Sequence, residues 1–146
     1  MVNKWIYPLK NKLTHTEKEV IFNELNQNLK DWNSHGNPIQ YSVQMLFNQV
    51  IIIEAITETS GCSIDYLQKK VYEVLHHHRI EILPNHYVLY LKNEKELGYF
   101  DFRETQNFIK NQEITIETPI LDTQKILEGN QSYYSILRDS WLVRYC

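Results

Sequence analysis

Tyr41-Ser42-Val43-Gln44-Met45-Leu46-Phe47 and Val50-Ile51-Ile52-Ile53-Glu54-Ala55-Ile56 are two β-type runs separated only by Asn48-Gln49. In the first run Tyr41, Val43, Met45 and Phe47 alternate with Ser42, Gln44 and Leu46, the period of a strand with one buried face. The second run is apolar at nearly every position, so it predicts a strand covered on both faces, central in its sheet. Asn48-Gln49 is short enough to join them as a hairpin. The fold then depends on what flanks this hairpin on either side.

Upstream, Thr14-His15-Thr16-Glu17 carries capping-box spacing between Thr14 and Glu17, and Thr16 with Glu19 repeats it. A helix is predicted from there, with Ile21, Leu25, Leu29 and Trp32 on one stripe at steps of four, four and three. Asn33-Ser34-His35-Gly36 ends it, Gly36 taking a left-handed cap, and Pro38 prevents continuation. Before that helix, Trp5-Ile6-Tyr7 forms a strand stopped by Pro8.

Downstream, Thr57 to Gly61 is a loop. Ser63 is then the expected N-cap of a second helix with the stripe Ile64, Leu67, Val71 and Val74. His76-His77-His78-Arg79 closes that helix, where positive charge suits the dipole. Beyond Pro84-Asn85, His86 to Leu91 alternates as another strand. The order strand, helix, strand, strand, helix, strand is the split βαβ pattern of a ferredoxin-like α+β domain. The expected boundaries are an α+β core over residues 1–92 and a mixed C-terminal extension over 93–146, packed on the core or extending its sheet. In the extension, Tyr99–Phe102 and Glu113–Thr118 are expected strands and Glu104–Lys110 a short helix with Phe108 and Ile109 inward. Asp122–Leu127 is expected to be helical and Ser140–Tyr145 a last strand.

Composition narrows the function classes. The chain has 146 residues, 42% hydrophobic and 23% charged, with a formal net charge of -3. One domain of this length buries about 70% of its unfolded surface. The mild acidity lacks the basic footprint of a nucleic-acid binder. The longest aliphatic run, Val50–Ile53, is far short of the ~20 residues a membrane span needs. Two cysteines, Cys62 and Cys146, make no disulfide framework and fit a cytoplasmic protein with free thiols.

Several short signatures recur together: Trp5-Ile6-Tyr7, Trp32-Asn33-Ser34-His35-Gly36, Ser60-Gly61-Cys62-Ser63-Ile64-Asp65, and Asp139-Ser140-Trp141 with Arg144. In this order they resemble a family of small uncharacterised bacterial proteins often labelled "ABC transporter ATPase". The resemblance implies a fold more than an activity. The chain departs from that family in carrying Thr57-Glu58 before the hexapeptide, where an acidic pair is expected. It also has Leu83-Pro84 after the second helix, where an Asp-Arg pair is expected. The ATPase label does not fit the residues. Gly36, Gly61, Gly98 and Gly129 are followed by Asn37, Cys62, Tyr99 and Asn130, never by Lys, and none is spaced to build a phosphate loop. The same spacing excludes a dinucleotide-binding fingerprint.

Cys62 is the strongest candidate for chemistry. Amides at a helix start stabilise a thiolate nucleophile, with His35 as a base brought in by folding. The alternative is a small hydrophobe preceding the cap at Ser63 and packing on Leu67, which predicts slow reaction with a thiol reagent. Ser60, Gly61 and Ser63 offer hydroxyls and helix-start amides to a small anion, although Asp65 already satisfies the dipole. His76, His77 and His78 point about 100° apart on an ideal helix, so no metal site is expected from them. Glu54, Glu58 and Asp65 are carboxylates that would need one shared cleft for hydrolytic work. Trp5, Trp32 and Trp141 are expected to meet across the fold. These features favour a non-catalytic binding or interaction module with no cofactor. Its partner would be a protein or a small anionic ligand, with a sheet edge or face available for a homodimer. The alternative is a small thiol-dependent enzyme or anion-binding protein using Cys62.

Overall fold

A computed structural model of the chain describes residues 3–129 and 132–146; of the expected spans 1–92 and 93–146, Met1, Val2, Asn130 and Gln131 lie outside it. Among the described residues the architecture is mixed α+β with antiparallel sheets and four α-helices. The chain divides into two compact units, Met1–Leu83 and Pro84–Cys146.

The first unit holds β1 (Asn3–Pro8), α1 (His15–Leu29), β2 (Asn33–Ser34), β3 (Asn37–Pro38), β4 (Tyr41–Leu46), β5 (Val50–Ala55) and α2 (Gly61–His77). β1, β5 and β4 form an antiparallel sheet in that order, with Asn3 opposite Ala55 and Leu46 opposite Val50. The apolar run of β5 is central, as its composition predicts. One face of the sheet, through Tyr7, Ile51 and Ile53, joins Ile21, Leu25 and Leu29 of α1 and Leu67, Val71, Val74 and Leu75 of α2 in a single core. The other face buries Val50 and Ile52. β4 and β5 are joined through Phe47 and Asn48, both at positive φ, with the Gln49 amide donating to the Leu46 carbonyl at 2.9 Å. Two left-handed residues are what a tight hairpin between twisted strands requires.

α1 starts at the expected cap. The Glu17 amide donates to Thr14 Oγ1 at 3.1 Å, and the Thr14 amide donates to Glu17 Oε1 at 3.0 Å. These bonds hold the Glu17 carboxyl below its ordinary pKa. Gly36 is left-handed, but not as a helix cap. α1 ends earlier, at Leu29, and His35 and Gly36 form the two-residue turn of the β2–β3 hairpin with φ of 52° and 83°. The cap of α2 lies three residues before the expected Ser63. Ser60 is the N-cap, its Oγ accepting from the Ser63 amide at 3.3 Å while the Ser60 amide donates to Ser63 Oγ at 2.7 Å.

The fourth strand expected for the first sheet, within His86–Leu91, pairs elsewhere, so the four-stranded β-α-β-β-α-β sheet does not form as expected. After α2 the chain runs antiparallel to the end of β1 for one bridge, Leu9 with Ile82. There the Leu83 amide donates to the Pro8 carbonyl and the Lys10 amide to the Glu81 carbonyl. Pro84 follows, lacks an amide donor and cannot continue the ladder.

The second unit holds β6 (Tyr87–Leu91), β7 (Leu97–Asp101), α3 (Thr105–Lys110), β8 (Pro119–Leu121), α4 (Thr123–Leu127) and β9 (Tyr134–Ile136). Its sheet runs β7-β6-β8-β9, all neighbours antiparallel. Val88, Tyr90, Phe100, Ile114, Ile120, Leu137 and Leu142 form its core, with Phe108 and Ile109 packed on it. Glu113–Thr118 is a turn rather than the expected strand. The Thr118 amide donates to the Thr115 carbonyl, and the Thr115 amide to Thr118 Oγ1. Ser140–Tyr145 is not a strand either: Ser140 Oγ caps the Leu142 amide at 3.2 Å and Trp141–Tyr145 coils as a 3₁₀ segment.

Candidate functional site

Three places gather chemically able side chains. The first is the start of α2. With Ser60 as N-cap, Cys62 lies inside the first helical turn, and its side chain is exposed. The expectation that it packs against Leu67 before a Ser63 cap is therefore corrected, because moving the cap back to Ser60 rotates Cys62 off the core face. Ser63 is buried, and its hydroxyl donates to the Ser60 carbonyl at 2.8 Å while accepting the Ser60 amide. The same turn is tied to the rest of the unit by Trp32, whose Nε1 donates to the Ser63 carbonyl at 2.7 Å. At Gly61 a Cβ would meet nothing within 4 Å, so the helix start is open to solvent. His35 is exposed on the β2–β3 turn, with no hydrogen bond to Cys62 among the described residues.

The second place is the other end of α2. It closes with a Schellman arrangement: the Ile80 amide donates to the Leu75 carbonyl and the Arg79 amide to the His76 carbonyl, with Arg79 at φ 55°. His78 sits at the C-cap, with φ -94° and ψ 9°, already outside helical geometry. There His77 and His78 come edge to face, ring centroids 5.0 Å apart, and Glu24 of α1 reaches them. His78 Nε2 lies 2.8 Å from Glu24 Oε2. Among the described residues these three side chains form the one cluster of His, Cys or carboxylate donors, their ligand atoms within 4.8 Å of one another. His76 stays outside the cluster, as the 100° spacing of three successive helical residues expects, while His77 and His78 approach one another where the helix unwinds. The carboxylates named from the sequence do not gather in this way. Glu54 lies 3.8 Å from Lys4 Nζ across the strand pair, and Glu58 and Asp65 are exposed.

The third place was not legible as a site. In the second unit Phe102, Trp141 and Tyr145 touch one another, with ring centroids 5.2 to 5.9 Å apart. Trp141 keeps 52% of its surface exposed, and so does Val143 beside it. The expected meeting of three tryptophans is corrected: Trp5 and Trp32 meet edge to face at 5.9 Å, while the ring partners of Trp141 are Phe102 and Tyr145. Nearby in sequence, Asp101 accepts from Arg103 Nε at 2.9 Å and lies 3.9 Å from His86 Nε2. The Arg103 hydrogen bonds lower the Asp101 carboxyl to a pKa of about 2.

No helix among the described residues is long and apolar enough to cross a membrane. Comparison of the chain with protein-family models, curated proteins and solved structures finds no match.

Proposed function

We propose that the protein is a cytoplasmic, non-catalytic binding module that contacts another protein through the Phe102–Trp141–Tyr145 surface of its second unit. The supporting observation is the exposure of Trp141 and Val143 on a short 3₁₀ segment whose backbone is held by Ser140. Large exposed aromatics on a rigid support are characteristic of contact surfaces, because they bury much area at little entropic cost. Arg144 stands exposed on the same 3₁₀ segment and favours an acidic partner. In this reading the first unit is a ferredoxin-like body whose fourth strand has shrunk to Glu81–Leu83. The sequence signatures relate it to the bacterial family named above, without that family's ATPase label.

The test is capture from the native host with wild type, Trp141→Ala and Val143→Ser, with Tyr72→Ser as control. Tyr72 is an exposed aromatic of the first unit. Specific partners lost with the first two variants and kept with the third support the proposal. Equal capture by all four proteins refutes it. The thiol reading has one observation in its favour, the exposed Cys62 in the first turn of a 17-residue helix. It requires Cys62→Ser to abolish a turnover that Cys146→Ser leaves intact.

A further inference from the structure

We propose that Glu24, His77 and His78 form a binding site for a divalent transition-metal ion, zinc foremost. Two imidazoles and one carboxylate are a donor set that suits zinc and leaves a fourth position for water. The placement supports it on three counts. The donor atoms already lie within 4.8 Å of one another. Bonds of about 2.1 Å in a tetrahedral site put ligand atoms about 3.4 Å apart, so the three side chains need shifts of only about an ångström to hold an ion, the 2.8 Å His78–Glu24 pair opening as the ion enters. His78 Nε2 is shut off from solvent and lacks a hydrogen-bond partner, although Glu24 Oε2 is only 2.8 Å away. That carboxylate is close but not aligned as an acceptor. A solvent-excluded ring nitrogen beside a carboxylate, with no hydrogen bond between them, is satisfied when a metal ion binds both.

The fold makes the cluster specific. Glu24 projects from the middle of α1, and the histidines sit where α2 ends and the backbone turns left-handed at Arg79. A bound ion would clamp the two helices that cover the first sheet. It would also stabilise the folded state by mass action. The site lies wholly within the first unit and does not depend on the aromatic surface of the second.

The experiment uses the tag-free full-length chain, stripped with a chelator and titrated with Zn²⁺ by calorimetry, with Co²⁺ absorption as a spectroscopic report of the ligand set. The expected result is one zinc per chain and a raised melting temperature. Glu24→Gln and His77→Asn should each weaken binding by at least about tenfold, while His76→Asn and His15→Asn leave it unchanged. His77 is exposed, so its variant keeps the fold even if Glu24→Gln does not. No zinc uptake, or uptake indifferent to His77→Asn, would overturn the metal site.

Discussion

The two units solve the same packing problem with different materials. The first covers its sheet with two long helices, of 15 and 17 residues, and fills the space mostly with aliphatic side chains around Tyr7 and Trp32. The second has only short helices of six and five residues, and its core and rim lean on rings: Tyr90, Phe100, Phe102, Phe108 and Tyr145. Long amphipathic helices supply enough apolar surface for a closed core. Short helices do not, and large aromatic side chains make up the area. The cost is that a further ring, Trp141, keeps half of its surface in water.

The widest separation between the units should appear in their tryptophans. Trp32 is fully buried and donates to the Ser63 carbonyl, so Trp32→Ala should cost about 3–5 kcal/mol in denaturant titration. Trp141→Ala should cost less than about 1.5 kcal/mol, because half of that side chain is already solvated. Comparable losses would erase the distinction. Glycine provides the next contrast. A Cβ at Gly98 would fall 2.5 Å from the ring of Tyr90, its buried cross-strand partner, so Gly98→Ala should destabilise by about 1–3 kcal/mol. Gly61 has open space and begins a helix, so Gly61→Ala should stabilise by about 0.4–1 kcal/mol. Melting curves of the two variants should therefore move in opposite directions.

The smallest effect is electrostatic and confined to the second unit. The folded Asp101 carboxyl has a pKa of about 2, below its ordinary 3.8, so its contribution is present above pH 4 and fades as pH falls through 2. Asp101→Asn should thus lower the melting temperature at pH 5 and match wild type near pH 2. An equal gap at both pH values would show that the Arg103 pairing does not stabilise the fold.

The elements with a strong periodic pattern were legible in the sequence. The Thr14–Glu17 box, the Ile21–Leu25–Leu29 part of the stripe and the β4–β5 pairing stand where the residues place them, while Trp32 falls past the helix end and the turn lies one residue upstream, at Phe47-Asn48 instead of Asn48-Gln49. Errors came where two residue patterns competed. Ser60 and Ser63 are both good caps three residues apart, and the apolar stripe beginning at Ile64 favoured the wrong one. The β-rich run Trp141-Leu142-Val143 coils because the Ser140 hydroxyl captures the Leu142 amide. Alternation in Tyr87–Leu91 identifies a strand but not its neighbours, and only Pro84 hinted that the first sheet was already finished. The Glu24–His77–His78 cluster was invisible because it joins α1 to α2 across more than fifty residues and depends on how a helix ends.

The pairing of β1 with β5 also shapes how the protein is made. Asn3 meets Ala55, and every residue of β1 has its partner in β5, so β1 leaves the ribosome well before the strand it pairs with. Until then Trp5, Ile6 and Tyr7 travel as an exposed apolar segment, whereas β4 and β5 zip together locally as soon as both have emerged. Nascent chains halted before residue 50 should therefore bind chaperones through β1 and release them once the β4–β5 hairpin supplies an edge to dock on.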